Sequence, residues 1–204
     1  GGGVSSEVGG SAPSGQGIHT GGGEGGGGST EEGDNGVTIG NEPGFKAPTS
    51  AVCDLSQWAN PANAFSSDNQ YTDDNDNGQH PAQTYCAFGF VIPSSDTITG
   101  IEVKVEGHST TPPADIDVSL SQNGGNGYTS TKSIEFATTS DQVYTVGGPS
   151  DLWGNTWDAA SLSDNISFIL NFTLASGFAA YIDALQVKVF HQAQGGGGGG
   201  GGEI

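Results

Sequence analysis

The densest chemistry in this chain lies at Asp73-Asp-Asn-Asp-Asn-Gly78. Asp73, Asn75 and Asn77 stand at alternate positions and Gly78 permits a tight turn, the opening half of a calcium loop. Hard oxygen ligands crowded this closely suit Ca2+, whose charge would offset the neighbouring Asp74 and Asp76. The twelfth position is Thr84, where such a loop places a bidentate Glu, so the fold would have to bring in another carboxylate such as Asp68. The alternative is a solvated Asp/Asn loop.

Cys53 and Cys86 are the only cysteines. Paired, they would close a loop of about 33 residues and contribute roughly 3–4 kcal/mol. Unpaired, they are small apolar core residues. Trp153 and Trp157 lie four apart around Gly154. They either plug one end of a sandwich or form a stacking platform for sugars. Asn165-Ile-Ser167 and Asn171-Phe-Thr173 are glycosylation sequons.

Nothing comparable speaks for catalysis. His19, His80, His108 and His191 are scattered, without the spacing that holds zinc. Neither G-x-S-x-G nor a phosphate-loop lysine is present. Glu102 and Glu106 share a strand face, but Lys104 lies between them, which reads as a salt ladder rather than a glycosidase pair. The expectation is a protein that is not an enzyme.

The composition narrows the partners. The 204 residues carry 23 acidic side chains against 4 basic ones, for a net charge of −19. All four basic residues are lysines, Lys46, Lys104, Lys132 and Lys188. Nucleic-acid binding needs cations that neutralise phosphates, so it is excluded, and anionic lipid surfaces would repel the chain. Apolar runs reach about six residues, around Ala87 to Ile92. A membrane-spanning helix needs roughly 20, so no membrane insertion is expected.

Of 37 glycines, 17 fall in residues 1–40 and eight form 195–202. The chain therefore divides into a Gly-rich arm (1–40), a body (41–194) that holds nearly all large apolar residues, and an oligoglycine tail (195–204). Alone in water the arms would be flexible linkers; packed in an assembly they would connect subunits.

The body must position whatever chemistry there is, and it reads as strands. Ile101, Val103 and Val105 alternate with Glu102, Lys104 and Glu106. Ile116, Val118 and Leu120 alternate with Asp115, Asp117, Ser119 and Ser121, and Ile166 to Leu174 repeats the period of two. Further strands are predicted at 84–92, 131–137, 142–146 and 181–190, with a shorter one near 47–53. Turn signals such as Asn123-Gly-Gly-Asn-Gly127 separate them. No stretch of ten residues has helical periodicity. The fold class is all-β, an antiparallel β-sandwich of jelly-roll type.

Four segments in order carry a resemblance: Trp58-Ala-Asn-Pro-Ala-Asn-Ala64, Gly89-Phe-Val-Ile-Pro93 through Ile98-Thr-Gly-Ile-Glu-Val103, Gly147-Gly-Pro-Ser-Asp-Leu-Trp-Gly-Asn-Thr-Trp157, and Ile182-Asp-Ala-Leu-Gln-Val-Lys-Val189. Over about 58–190 the chain resembles a β-sandwich domain of tailed-phage and prophage virion structural proteins. The resemblance implies a structural subunit of a virus particle, such as a capsid decoration protein, head fibre or tail-fibre component. Its place would be the virion surface or another extracellular setting. Its partners would be copies of itself and other virion subunits. Two other readings stand beside it: a subunit of a cellular extracellular filament assembled by strand addition, with Val37-Thr-Ile39 as a weak donor, and a carbohydrate-binding module for surface glycans.

Overall fold

The alternation of Ile101, Val103 and Val105 with polar neighbours is realised in a long central strand, and the rest of the sandwich is built around it. The computed structural model describes residue 39 and residues 42–74, 82–164, 169–176 and 179–194. The strands are β1 (Phe45–Lys46), β2 (Thr72–Asp73), β3 (Ala82–Tyr85), β4 (Thr97–His108), β5 (Ala114–Ser121), β6 (Lys132–Phe136), β7 (Gln142–Gly148), β8 (Ile169–Ser176) and β9 (Tyr181–Gln192). A 3-10 turn at Pro61–Ala64 and a short helix, α1 (Ala159–Ser163), complete the elements. The glycine-rich segment before residue 39 and the oligoglycine tail lie outside the described residues.

The strands form two antiparallel sheets, ordered β1-β9-β4-β7 and β3-β8-β5-β6, with β2 also on β9. The pairs β1·β9, β3·β8, β4·β7 and β5·β6 nest one inside another along the chain. Such a nested hairpin, wound so that β4 joins β9 and β5 joins β8, is a jelly roll. Strand order is decided by the winding, which no local pattern encodes.

The core lies between the sheets. Ile101, Val103 and Val105 of β4, Ile116, Val118 and Leu120 of β5, and Leu170 and Phe172 of β8 are fully buried. Register puts Val103 opposite Val146 on one side and Val187 on the other, while Val118 faces Phe172. Trp58, Trp153, Trp157 and Leu162 close the gaps between sheets and loops.

Several predicted boundaries move. The strand expected at 84–92 stops at Tyr85, because Ala87 and Gly89 take positive φ, which extended backbone does not allow. The stretch near 47–53 gives only an isolated bridge, Ser50 to Cys86, and the true strand precedes it at Phe45–Lys46. Of the strand read from Asn165, residues 165–168 lie outside the described residues, and β8 begins at Ile169. The salt ladder is also corrected. Lys104 pairs with Glu42 and sits over the Phe45 ring, while Glu106 is buried and accepts the Ile39 N–H. Ile39, Glu42 and Phe45 thus each engage a side chain of this outer sheet face.

Cys53 and Cys86 are joined by a disulfide. It fastens the segment before Trp58 to the chain just after β3, where Ser50 also bridges Cys86. Replacing both cysteines by Ala should lower stability by about 3 kcal/mol, read as a fall in the urea midpoint with a steeper slope, because the unlinked denatured chain exposes more surface. An unchanged midpoint would mean that the backbone bridges alone hold this segment. Gly107 is the second sensitive point. A Cβ there would drive into the Tyr181 carbonyl, so Gly107→Ala should destabilise by at least about 2 kcal/mol in the same measurement.

Candidate functional site

Among the described residues, polar side chains gather on the outer face of one sheet and at one end of the sandwich. The first group lies on the outer face of the β4–β9 pair. The register of that pair slips between Glu106 and Gly107, so Glu106 faces Ala184 and Gly107 faces Ile182. Asp183 is the extra residue of the bulge, and bulges redirect side chains in this way. Asp183 thereby joins Glu106 and Asp141, with carboxylate oxygens of all three buried residues within 4.8 Å of one another.

Protein donors meet each carboxylate. Ile39 N–H donates to Glu106 Oε2 at 2.8 Å, and Asp68 N–H donates to Asp183 Oδ1 at 3.2 Å. Tyr71 O–H donates to Asp141 Oδ2 at 2.7 Å, and His108 Nδ1 lies 2.7 Å from Asp141 Oδ1. The His108 ring stacks on Tyr181 and meets the edge of Tyr71, which fixes its orientation. Burial, with Asp141 close by, holds the Tyr71 phenol well above its usual range. Burial likewise pushes the Glu106 and Asp183 carboxyls up, against the hydrogen bonds that favour their ionised forms. An oxygen-only set of this kind has the chemistry for a hard cation such as Ca2+. In this structure its bonds go to the segments at 39 and 66–71, and the cluster works as a clamp for them.

The calcium loop expected at Asp73–Gly78 is described only at its start. Asp73 pairs with Tyr181 in β2, and Asp74 is buried with its N–H donating to the Ala180 carbonyl. Asn75, Asp76 and Asn77 lie outside the described residues. Asp68 turns to its own neighbourhood, taking the Gln70 N–H and the Ser66 hydroxyl while its N–H goes to Asp183.

The second place is a groove of about 420 Å³ between the β5–β6 loop and the segment after β7. Its polar lining is Gln122, Asn123, Tyr128, Thr129, Ser130 and Asn155, with Trp153 and glycines. The first wall is a glycine-rich loop closed on itself: Asn123 accepts from the Ser121 hydroxyl and donates to the Asn126 carbonyl. Thr129 N–H donates to the Leu120 carbonyl, and Leu120 N–H returns a bond to Thr129 Oγ1. The second wall turns at Trp153, which takes positive φ, and its N–H is held by Asp151 Oδ1 at 2.8 Å. Gln122 ties the walls together, donating to the Thr156 carbonyl and accepting from the Asp158 N–H.

The two tryptophans are not an open stacking platform. Trp153 and Trp157 are 3% and 7% exposed, and their indole N–H groups are bonded to the Ile101 and Leu152 carbonyls. The Lys132 ammonium, paired with Asp151, lies 5.0 Å above the Trp153 ring. They plug the end of the sandwich, since burying so much apolar surface outweighs leaving one indole face bare.

What the groove can do follows from which atoms are already engaged. Both ends of Gln122 and of Asn123 are taken by the loops themselves. Asn155 Oδ1 accepts from the Thr156 N–H, which leaves its amide N–H groups for a ligand. Tyr128 O–H donates to Asp54 Oδ2 at 2.9 Å, so the phenol oxygen can offer a ligand a lone pair. Uncharged donors and an acceptor, held by rigid loops, suit a polyhydroxylated molecule.

No family model matches the sequence, and no curated protein does. Among solved structures the chain is similar to CBM35 from Cellvibrio japonicus Abf62, at 14% identity and a TM-score of 0.39, covering 78% of this chain and 97% of that one. It is similar to Xyl-CBM35 in complex with a glucuronic acid containing disaccharide, at 12% identity and a TM-score of 0.38, covering 79% and 99%. A third is CpGH89CBM32-6 produced by Clostridium perfringens, at 13% identity and a TM-score of 0.34, covering 72% and 94%. Values this low concern the layered strands and say nothing of a ligand.

Sequence points to one wall of the groove through Trp153, read as a packing plug or a sugar platform, but not to Asn155 or to the carboxylate cluster. Asn123-Gly-Gly-Asn-Gly127 reads as a turn, and nothing local connects it to Asn155. Glu106 reads as a ladder residue and Asp141 as part of a polar loop; Asp183 stands in the Ile182–Val189 segment of the resemblance and is a lone acid in an apolar strand, neither of which links it to Glu106.

The clamp has a pH signature. Glu106 and Asp183 bind protons more tightly folded than unfolded. The stability they contribute is full below the ordinary carboxylate range and is lost as pH rises through their raised values. A chelator-treated sample should therefore show a melting temperature that rises as pH falls from 8 to about 5, and Asp183→Asn should flatten that rise. Parallel curves for the two proteins would show that the rise comes from elsewhere on this acidic surface.

Proposed function

We propose that this chain is a non-catalytic glycan-binding sandwich that takes a neutral oligosaccharide in the groove between the β5–β6 loop and Trp153-Gly-Asn155. The observation that carries this reading is the lining: amides and hydroxyls converge with no charged side chain among them. Sites of this kind fix a ligand with a few well-placed polar groups on preformed walls. The chain's net charge of −19 disfavours anionic sugars and leaves neutral ones as the class that fits.

Its setting, in the same proposal, is an exposed extracellular or virion-surface assembly, with the glycine-rich arms joining copies of the chain or other subunits. Support comes from the resemblance of Trp58–Ala64, Gly89–Val103, Gly147–Trp157 and Ile182–Val189 to tailed-phage structural modules. The Cys53–Cys86 bond is at home in an oxidising compartment. Images of native material with repeating copies on a capsid, tail or fibre would support this setting, and dispersed monomers would oppose it.

Binding is tested by titrating a panel of neutral and uronate-bearing oligosaccharides while following tryptophan fluorescence. Neutral members should bind more tightly, and Tyr128→Phe or Asn155→Ala should each weaken binding about tenfold. Melting temperatures should change little, since both side chains lie at the surface end of their loops. If no member of the panel binds, the glycan reading fails.

A further inference from the structure

The groove wall that carries Tyr128 is braced by a residue 74 positions away in the chain. We infer that Asp54 is a positioning residue for this site, a latch that fixes both the place of Tyr128 and the polarity its hydroxyl presents. Three observations meet there.

Asp54 is immobilised from behind. It follows Cys53, which is bonded to Cys86. Its N–H and that of Leu55 donate to Thr84 Oγ1 at 3.1 and 3.0 Å, while Thr84 N–H donates to the Leu55 carbonyl at 2.9 Å. The next bridge is Ser56 to Gln83. The backbone around Asp54 is thus stitched to β3 by a covalent bond and a row of hydrogen bonds.

The loop in front is shaped to receive it. Gly125 takes φ of +86°, and a Cβ there would come within 2.5 Å of Asp54 Oδ2 and 2.7 Å of its Cγ. The missing side chain at Gly125 is the space that the Asp54 carboxylate uses. This gives Asn123-Gly-Gly-Asn-Gly127 a reason beyond turning the chain.

The hydrogen bond then has a direction. Tyr128 O–H donates to Asp54 Oδ2, which engages its single proton. Its remaining lone pair can only accept from a ligand. With Asn155 offering N–H groups, the groove presents an acceptor on one wall and donors on the other. A sugar hydroxyl next to an oxygen acceptor matches that pattern.

The inference rests on the glycan reading for its affinity readout alone. Amide exchange on the full chain tests the latch without any ligand. Asp54→Ala should speed exchange at Thr129, whose N–H bonds the Leu120 carbonyl, by about tenfold, with the β4 and β9 amides unchanged. Asp54→Asn keeps an acceptor of the same size and should restore most of that protection. Unchanged exchange at Thr129 in Asp54→Ala, or equal loosening throughout the sandwich, would overturn the latch. For the tightest neutral oligosaccharide of the panel, Asp54→Ala and Tyr128→Phe should each weaken binding about tenfold, and the double variant should lose no more. Additive losses would place Asp54 outside the Tyr128 interaction and overturn the inference. If the wild type binds no oligosaccharide while Thr129 still loosens, the latch stands and the glycan reading falls.

Discussion

The register between β4 and β9 is the constraint on which the rest of this sandwich depends. These two strands, each twelve residues long, pair along nearly their whole length at the centre of one sheet. Their in-register stretch sets Ile101, Val103 and Val105 against Val189, Val187 and Leu185, which builds one half of the core. One slip, between Glu106 and Gly107, ends that regularity. It places Asp183 beside Glu106 on the far face of the sheet, where a buried carboxylate needs donors. The segments at 39 and 66–71 supply them, so a backbone irregularity becomes the anchor for two loops.

Glycine at three positions works by letting another part of the chain approach. Gly107 admits the Tyr181 carbonyl at the slip, and Gly147 admits the Ile101 carbonyl where the Trp153 indole also bonds. Gly125 admits Asp54. In each case the contact joins parts of the chain far apart in sequence. This is why segments such as Gly147–Trp157 and Ile182–Val189 shape the sandwich more than they decorate its surface.

The two polar places differ in what burial does to them. On the β4–β9 face, carboxylates are withdrawn from water and held by main-chain and phenol donors, at a cost that grows with their ionisation. At the loop end the side chains that line the groove are uncharged, and hydrogen bonds, including that from Tyr128 to the Asp54 carboxylate behind it, keep them in place. The first arrangement suits holding segments together; the second suits exchanging water for a hydroxylated ligand. Trp153 and Trp157 serve packing rather than a sugar platform, with their N–H groups committed to carbonyls inside the fold.

Local periodicity was enough for the class of fold and for much of the core. Alternation at Ile101–Val105 and Ile116–Leu120 is a direct consequence of side chains pointing to opposite faces in successive residues, so it can be read from neighbours alone. The charge of −19 carries the expectation that polyanions are repelled for a like reason, since charge sums without regard to structure. Tertiary structure alone decided the rest. Strand order follows from winding a nested hairpin, and Glu106, Asp141 and Asp183 meet only because a bulge shifts β9 by one residue. Tyr128, Asn155 and Asp54 come from three separate segments, and no spacing in the chain reveals that Asp54 fits the gap left by Gly125. Local periodicity is printed in the order of residues; convergence between distant segments is a property of packing, and only the folded chain contains it.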